Sequence, residues 1–365
     1  MLRPNRNIEK IVPPAHGGID YADLKRRNIS PEEVIDFSVS VNPFGPPPGI
    51  ESAISGALLD RYPDSESTEV REALAKKLRL SPEQITIGSG STEIIRLIAA
   101  AFFEPNDLVL IPQPTYSEYE TACHLVGARP LKPWMLGERD LRLNIPRVKE
   151  LIDEHRPAAI FVCNPNNPTG EYLPKGALED ILHAAYNSLV VVDEAYIAFT
   201  QEPWDSTGLI ETGHLIVVRS MTKDFALPGL RLGYALASKQ AISLLNRAKP
   251  PWNVSSVAQA AAAFVLQNDA YLRNCAEGLR QSGELLVAGL RSRGLEPTPS
   301  QANFFLLKVG DAAGFRRALL GKGIIVRDCT SFGLPTYVRL APRTAGECEK
   351  LLRAIDEPEV RSHVS

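Results

Sequence analysis

Short apolar runs alternate with longer amphipathic stretches between about Pro82 and Gly233. The apolar runs are mostly bounded by Gly, Pro, Asn or Asp, which is typical of strands buried on both faces. The runs are Gln84–Ile87, Asp107–Ile111, Ala158–Cys163, Ser188–Val192 and Leu215–Val218. The helical stretches among them are Thr92–Phe103, Ile145–Glu154 and Lys175–Tyr186. This alternation predicts a mainly parallel sheet with helices on both faces.

Beyond about Ser255 the pattern changes to helices followed by short strands. We predict helices at Val257–Leu266, Leu279–Ser292 and Ala345–Ile355, and strands near Phe304–Val309, Ile324–Arg327 and Tyr337–Leu340. We therefore expect a large domain at 46–254 and a small α+β domain built from 1–45 and 255–365. The polar end, Pro358–Ser365, is expected to fray.

Composition excludes several classes of function. The 365 residues carry a net charge of -3, so no global basic field favours nucleic acid. The apolar runs are far shorter than the ~20 residues that span a bilayer, and the N-terminus lacks the apolar stretch of a signal peptide. The five cysteines are dispersed without a CxxC pair, which is typical of reduced thiols. We expect a cytoplasmic protein without a metal site.

The first candidate for chemistry is Gly88-Ser89-Gly90-Ser91-Thr92-Glu93, where a strand gives way to small residues and then to a helix. Free backbone N–H groups at the helix start, with the Ser91 and Thr92 hydroxyls, suit a phosphate. The same residues also suit an ordinary helix start in which Ser91 or Thr92 is the N-cap. Taken alone, the pattern favours the ordinary cap.

Two further clusters follow apolar strands. Asn164-Pro165-Asn166-Asn167-Pro168-Thr169-Gly170 is longer and more ordered than a generic turn after a strand. Asp193 ends the run Val190–Val192, and Tyr196 follows it. A carboxylate in that place is costly to bury unless it meets a cation, such as a protonated pyridine nitrogen. The alternative is an aspartate that caps the following helix.

The fourth cluster is Ser220-Met221-Thr222-Lys223-Asp224-Phe225, one strand further along the chain. A desolvated lysine has a lowered pKa and becomes a Schiff-base nucleophile. The Ser220 and Thr222 hydroxyls and the guanidinium of Arg231 are suited to grip a phosphate beside it. A single lysine is more often an exposed surface residue, but this context favours the nucleophile.

The order of these residues resembles the fold type I pyridoxal-phosphate enzymes of the aminotransferase class I/II group. The residues that carry the resemblance are Asn167, Asp193, Tyr196, Ser220-x-Thr222-Lys223 and Arg231. The resemblance runs from about His16 to Leu352. It implies an α/β fold with a mainly parallel, seven-stranded-type sheet, a smaller α+β domain, pyridoxal 5'-phosphate as cofactor, and a homodimer.

The resemblance also implies a role for each residue. Lys223 would bond covalently to the cofactor and shuttle protons, and Asp193 would pair with the pyridine nitrogen. Tyr196 and Asn167 would hydrogen-bond the phenolic oxygen of the ring. The residues that would hold the cofactor phosphate are Gly90, Ser91, Thr92, Ser220, Thr222 and Arg231.

Two aromatic residues complete the implied cofactor site. Tyr116 would stack on the ring face, and Tyr62 would reach the phosphate of the neighbouring subunit. Apart from the resemblance, a buried structural aromatic is the better interpretation of both.

Within the group the chain resembles two families that act on phosphorylated amino compounds, the threonine-phosphate decarboxylases and the histidinol-phosphate aminotransferases. Three segments favour the decarboxylases: His16-Gly17-Gly18, Pro251-Trp252-Asn253-Val254, and the pair Val326–Cys329 and Tyr337–Arg343. We therefore expect decarboxylation of L-threonine O-3-phosphate to (R)-1-amino-2-propanol O-2-phosphate for cobalamin biosynthesis, with transamination of histidinol phosphate as the alternative.

Such a substrate needs cationic anchors. Arg327 and Arg339, on adjacent strands of the small domain, suit its anionic groups through bidentate contacts. His16 is expected to add a hydrogen bond to the substrate phosphate, or else to stabilise the turn before two glycines. Arg343 is as suited to a solvated position as to the site.

A third possibility is a non-catalytic pyridoxal-phosphate sensor fused to a DNA-binding segment. The stretch from Met1 to Asp36 is too short for that segment and lacks a basic amphipathic helix. We expect an enzyme.

Overall fold

The computed structural model describes residues 3–137 and 141–364. Its strands are β1 (Ile35–Asp36), β2 (Ile85–Gly88), β3 (Leu108–Leu110), β4 (Arg129–Leu131), β5 (Ala159–Cys163), β6 (Leu189–Asp193), β7 (Leu215–Ser220), β8 (Gly233–Leu236), β9 (Phe305–Lys308), β10 (Ile324–Ile325), β11 (Arg327–Asp328) and β12 (Tyr337–Leu340). Its α-helices are α1 (Tyr21–Arg27), α2 (Ile50–Ser55), α3 (Thr68–Leu78), α4 (Ser91–Phe102), α5 (Glu118–Val126), α6 (Ile145–His155), α7 (Lys175–Ala184), α8 (Lys239–Ala248), α9 (Ser256–Val265), α10 (Asp269–Arg291), α11 (Ala312–Leu320), α12 (Ala345–Asp356) and α13 (Pro358–Arg361).

The large sheet has seven strands in the order β2-β8-β7-β6-β5-β3-β4. Neighbouring strands from β4 to β7 pair in parallel, whereas β8 is antiparallel to both β7 and β2. The prediction of a mainly parallel, seven-stranded sheet is therefore confirmed. The sequence analysis did not identify β8, which is the only antiparallel member of this sheet among the described residues.

The central strands are apolar throughout because helices cover both faces of the sheet. On β5 and β6, Ile160 and Val190 pack into one core, while Phe161 and Val191 pack into a second core on the opposite face. Helices α6 and α7 line the first core, and α4 and α5 line the second. This burial fixes the register of the strands, and hence where their polar carboxyl ends emerge.

A smaller antiparallel sheet, β11-β12-β9, has its own core. The N-terminal part of the chain joins this region, since β1 pairs in parallel with β10 and Leu24 of α1 packs on Leu320 and Ile325. The domain boundaries at 46–254, 1–45 and 255–365 stay a prediction.

Two expectations for the C-terminal part are wrong. The run expected as one strand at Ile324–Arg327 breaks at Val326, because β10 pairs with β1 whereas β11 pairs with β12. Of the end expected to fray, residues 358–364 are ordered as α13 and a bridge from Val364 to Gly310. Burial of Val360 in the small core explains that order.

The helices that the sequence analysis named end within two residues of the predicted positions, except that α10 begins at Asp269, ten residues before the predicted start. The remaining helices, among them α3, α5, α8 and α11, were not predicted. Among the helices of residues 3–137 and 141–364, none combines the length and the apolar run needed to cross a bilayer.

Candidate active site

A cavity of about 270 Å³ opens at the carboxyl ends of β5, β6 and β7, between the large sheet and the small sheet. This is where open α/β sheets bind ligands. The predicted site residues in its wall are His16, Ser91, Thr92, Tyr116, Asn167, Asp193, Tyr196, Thr222, Lys223, Arg231, Arg327 and Arg339. Residues far apart in the sequence are thus gathered around one volume large enough for a cofactor and part of a substrate.

Asp193 presents a buried carboxylate to this cavity, with 3% of its surface exposed. Its Oδ2 accepts a hydrogen bond from Tyr119 Oη at 2.8 Å, and its Oδ1 accepts one from the Ala195 backbone N–H at 3.0 Å. Burial raises the pKa of Asp193, while the Tyr119 hydroxyl and the charge of Lys223 act in the opposite direction. A buried carboxylate held by two neutral donors favours a cation in the cavity in front of it.

Lys223 reaches the cavity from the loop after β7. Its Nζ lies 3.3 Å from Ser220 Oγ and 5.2 Å from the centre of the Tyr196 ring. Burial lowers the pKa of Lys223, whereas Asp193 and Asp224 act to raise it. An amine with a lowered pKa spends more of its time as the free base, which is the nucleophilic form.

Hydroxyls, a guanidinium and a helix start converge at one end of the cavity. Gly90 occupies the N-cap position of α4, with φ of 81°. Because glycine has no side chain, no side-chain oxygen accepts a hydrogen bond from the first N–H groups of this helix. The expectation that Ser91 or Thr92 is the N-cap is therefore wrong. A Cβ at Gly90 would lie 2.6 Å from Arg231 Nη2, so the guanidinium packs directly on the start of the helix.

Further hydroxyls of this anion-binding end of the cavity, the anion cradle, come from the end of β7, the loop after it and the first turn of α4. Ser220 Oγ and Thr222 Oγ1 are 2.8 Å apart and both are buried. Thr92 Oγ1 lies 3.2 Å from the Tyr116 hydroxyl. Backbone N–H groups of a helix start, hydroxyls and an arginine together suit a phosphate.

Arg327 and Arg339 lie directly opposite each other on β11 and β12. Both are buried, and burial together with the charge of Arg339 lowers the pKa of Arg327. Like charges in this position repel each other, so the pair is stabilised when an anion binds between or beside them. The two guanidinium groups therefore make a second anion site across the cavity from the cradle.

Each arginine is held from one side by the protein. Arg327 Nη2 donates to Ala15 O and to Ser331 Oγ, both at 2.7 Å. Arg339 Nη2 donates to Ser38 O at 2.8 Å, and its Nη1 donates to Asn167 Oδ1. These hydrogen bonds fix the orientation of both guanidinium groups.

The N-terminal segment closes one side of the cavity. His16 Nε2 lies 3.4 Å from Glu118 Oε1, and Arg96 Nη2 lies 3.0 Å from the other oxygen of the same buried carboxylate. At Gly17 an added Cβ would lie 2.5 Å from Ser38 O, so only glycine allows this approach. His16 thus lines the cavity and is also in contact with the Glu118 carboxylate.

Four predicted residues lie outside the cavity wall. Gly90 and Ser220 stand directly behind it, in contact with Arg231 and Thr222. Tyr62 is 75% exposed and stacks on Trp252 with ring centres 4.2 Å apart, away from the cavity of its own chain. Arg343 bonds Glu347 at 3.0 Å and the Asp36 backbone oxygen at 3.2 Å, which ties α12 to β1.

The sequence analysis missed three residues that support the site. Tyr119 is fully buried, bonds Asp193, and stacks on Phe161 at 4.6 Å. Glu118 holds His16, and Phe332 lies under the Arg327 guanidinium at 5.2 Å. The ring of Tyr119 meets that of Tyr116 edge-on at 5.6 Å, but Tyr116 lies before α5, so helical spacing did not indicate this contact.

The fold and the site define a pyridoxal-phosphate-dependent enzyme of fold type I, because a partly buried lysine, a buried carboxylate suited to a cation, and a group of phosphate-binding donors surround one cavity. The family described as Aminotransferase class I and II matches residues 32–355. The chain belongs to this family.

Relatives align with nearly the whole chain. Histidinol-phosphate aminotransferase 2 of Pasteurella multocida is 34% identical over 355 residues, which is 95% of this chain and 96% of the relative. Histidinol-phosphate aminotransferase of Caldicellulosiruptor saccharolyticus is 33% identical over 363 residues, 96% of this chain and 99% of the relative.

Solved structures share the fold. Histidinol-phosphate aminotransferase from Sinorhizobium meliloti, in complex with pyridoxal-5'-phosphate, superposes with a TM-score of 0.87 at 23% identity, covering 99% of this chain and 98% of that one. L-threonine-O-3-phosphate decarboxylase from Porphyromonas gingivalis has a TM-score of 0.76 at 27% identity, covering 88% of this chain and 98% of that one.

The expectation of threonine-phosphate decarboxylation is wrong. Relatives that are 33 to 35% identical over most of the chain are named for histidinol-phosphate transamination, whereas the decarboxylase structure is 27% identical. The three segments that favoured the decarboxylases lie in loops and in the anion site. Because both families bind a phosphorylated amine, these segments do not separate the two reactions.

Proposed function

We propose that this protein transfers an amino group from histidinol phosphate to a 2-oxo acid. The observation that carries the proposal is the full-length similarity to relatives with that name. The cavity supports it, since the buried pair Arg327 and Arg339 suits both substrates in turn. Guanidinium groups bind phosphate and carboxylate with the same bidentate geometry.

The residues around the cavity suit the cofactor as follows. Asp193 would pair with the ring nitrogen, Asn167 and Tyr196 would bond the phenolic oxygen, and Tyr116 would cover the ring. The residues that hold its phosphate are Gly90, Ser91, Thr92, Ser220, Thr222 and Arg231. When bound at Lys223, pyridoxal phosphate supplies an electron sink for the electrons freed at the substrate Cα.

The protein contributes proton transfer and orientation. Once the substrate amine has taken its place on the cofactor, Lys223 Nζ would be free to take the proton from the substrate Cα and later to return a proton. The lowered pKa of Lys223 leaves the amine free to act as this base. Histidinol phosphate is an amino alcohol phosphate with no carboxylate beside its amine, so no CO2 can leave from its Cα. We propose that the arginines orient it so that the Cα proton is lost.

His16 is proposed to contact the substrate anion from the N-terminal side. It lines the cavity and is held by Glu118, whose carboxylate is also paired with Arg96. The contact with Glu118 fixes the position of the imidazole ring and keeps the N-terminal segment over the site.

The enzyme is also proposed to act as a homodimer in which Tyr62 completes the phosphate cradle of the neighbouring subunit. Exposed side chains support the proposal: Tyr62 and Leu59 are 75% and 83% exposed, and Trp252 stacks on Tyr62. Aromatic side chains with this exposure are typical of interfaces.

A turnover assay tests the reaction. Histidinol phosphate and L-threonine O-phosphate are each incubated with the enzyme, with and without 2-oxoglutarate, and scored for glutamate and CO2. We expect glutamate from histidinol phosphate only when 2-oxoglutarate is present, and no CO2 from either substrate. Absence of glutamate would refute the proposed transamination.

A further inference from the structure

A short strap, residues 15–18, runs along the cavity wall without a helix or strand of its own. Ala15 O accepts a hydrogen bond from Arg327 Nη2 at 2.7 Å, and His16 Nε2 lies 3.4 Å from Glu118 Oε1. The strap thus connects the small sheet with α5 beside the large sheet. Because it lacks the regular hydrogen bonds of an element, its position depends on a few specific anchors.

The far end of the strap is held by a serine hydroxyl. The Gly18 backbone N–H donates to Ser38 Oγ at 2.7 Å, and Ser38 Oγ in turn donates to Asp36 Oδ1 at 2.6 Å. An ionised carboxylate only accepts, so the hydroxyl proton faces Asp36 and a lone pair is left for Gly18. Ser38 is 1% exposed and lines the cavity. Its hydroxyl is therefore a buried link between the strap and β1.

The two glycines of the strap make this link possible. Gly18 has a φ of 112°, a conformation that favours glycine. An added Cβ at Gly17 would lie 2.5 Å from Ser38 O and 3.2 Å from Ser38 Oγ. The motif His16-Gly17-Gly18 is thus the sequence that lets the strap approach Ser38.

The backbone around Ser38 is fixed by the small sheet and by the anion site. The preceding residue, Phe37, donates its N–H to Ile325 O at 2.8 Å and accepts at its carbonyl from the Ala341 N–H at 2.9 Å. Ser38 O accepts from Arg339 Nη2 at 2.8 Å. One residue therefore holds the strap through its side chain and Arg339 through its backbone.

We propose that Ser38 is a positioning residue whose hydroxyl holds the strap against the substrate cavity, so that His16 and Arg339 keep a fixed relation to the substrate anion. The inference rests on the proposed binding of histidinol phosphate at the arginine pair. The Ser38 hydroxyl bonds the strap and Asp36, not the donors of the cofactor phosphate. Its loss therefore acts on substrate binding and leaves cofactor binding intact.

Hydrogen–deuterium exchange of the holoenzyme without substrate tests the link itself. The variant Ser38→Ala removes the hydroxyl and keeps the backbone bond to Arg339. The Gly18 amide, followed in a peptide that covers the strap, is expected to exchange about threefold to tenfold faster, the factor that one neutral hydrogen bond is worth. A wild-type exchange rate in Ser38→Ala would overturn the inference.

Steady-state kinetics test the consequence for the substrate. In Ser38→Ala we expect the KM for histidinol phosphate to rise about threefold to tenfold. We expect kcat to stay within about twofold of wild type and cofactor content to be unchanged, because the lost contact orients bound substrate without entering the chemical step. A wild-type KM, or a fall in kcat at unchanged KM, would contradict the proposed role.

Two further variants make the result decisive. Ser188→Ala is the matched control, since this buried serine donates to Pro157 O at 2.5 Å before the amino end of β6, at the opposite edge of the sheet from the cavity. It should leave the strap exchange and the KM at wild-type values, and equal changes in both serine variants would overturn the inference. Gly17→Ala, which forces the strap away from Ser38, should reproduce both effects and decides the case in which Ser38→Ala does not fold. Failure of histidinol phosphate to react would refute the proposed function, whereas the exchange measurement decides the role of Ser38 without any reaction.

Discussion

Asp193 is the residue whose charge the chemistry needs most. Replacing it by Asn keeps its size but removes the charge that holds a proton on the ring nitrogen, so the ring becomes a poorer electron sink. We expect Asp193→Asn to retain the cofactor, because the phosphate cradle is intact, while turnover falls by orders of magnitude. Cofactor content is measured by absorbance and turnover by glutamate formation. Turnover near the wild-type value would show that Asp193 does not face the ring nitrogen.

Tyr119 supports Asp193 through the 2.8 Å hydrogen bond. A hydrogen bond to a charged group contributes about 1.5–3 kcal/mol. The change Tyr119→Phe is therefore expected to lower kcat by about 10- to 100-fold, with KM little changed because no substrate contact is lost. The ring stack on Phe161 remains, but the buried Asp193 carboxylate loses a donor, so the midpoint of thermal unfolding should also fall. Tyr186→Phe, at an exposed tyrosine, is the control. An unchanged kcat in Tyr119→Phe would show that the Tyr119 hydroxyl does not support catalysis through Asp193.

At the scale of elements, the site depends on the close approach of β8 to the start of α4. A Cβ at Gly233 would lie 2.6 Å from the Ser91 backbone nitrogen and 2.8 Å from the Gly90 carbonyl carbon. We expect Gly233→Ala to move the helix start, lower stability by about 1–3 kcal/mol, and weaken cofactor binding. Thermal unfolding and cofactor titration measure the two effects.

The control for that change is Gly208→Ala, where an added Cβ meets no atom of the described residues within 4 Å. Equal cofactor affinity in Gly233→Ala and Gly208→Ala would show that the β8 contact does not shape the cradle.

The elements that the sequence predicted well are those with a strong local pattern. Buried strands such as β5 and β6 are continuous apolar runs, and the residue after each run gave the position of the site. Strand β8 was missed because Gly233-Tyr234-Ala235-Leu236 is short and follows a loop, and only its pairing with β2 and β7 makes it a strand. Tertiary pairing of this kind cannot be read from local periodicity.

The contacts that complete the site also depend on tertiary structure. The hydrogen bond from Tyr119 to Asp193 joins residues 74 positions apart, and the bond from Arg327 to Ala15 joins residues 312 positions apart. The sequence analysis identified Lys223, Asp193 and the arginine pair from the resemblance to a known family. It did not separate decarboxylation from transamination, because a buried arginine pair suits an anionic substrate of either reaction.

At the scale of the whole molecule, three parts of the chain come together around Lys223. The large sheet supplies the lysine and Asp193, the small sheet supplies the arginine pair, and the N-terminal segment supplies His16. We expect borohydride to fix the cofactor on Lys223 alone, because burial lowers the pKa of this amine within the cavity. Mass mapping of the reduced protein should find the label on the Lys223 peptide. A label on another lysine would contradict the assignment of the site.

The most direct test of the proposed transamination is a half-reaction without an acceptor. Histidinol phosphate alone is added to the yellow holoenzyme, and the oxo product and the colour are followed together. We predict one equivalent of oxo product per bound cofactor with loss of the yellow colour. After unreacted histidinol phosphate is removed, 2-oxoglutarate should restore the colour and yield one equivalent of glutamate. Colour that persists with histidinol phosphate, with no oxo product formed, would contradict the account.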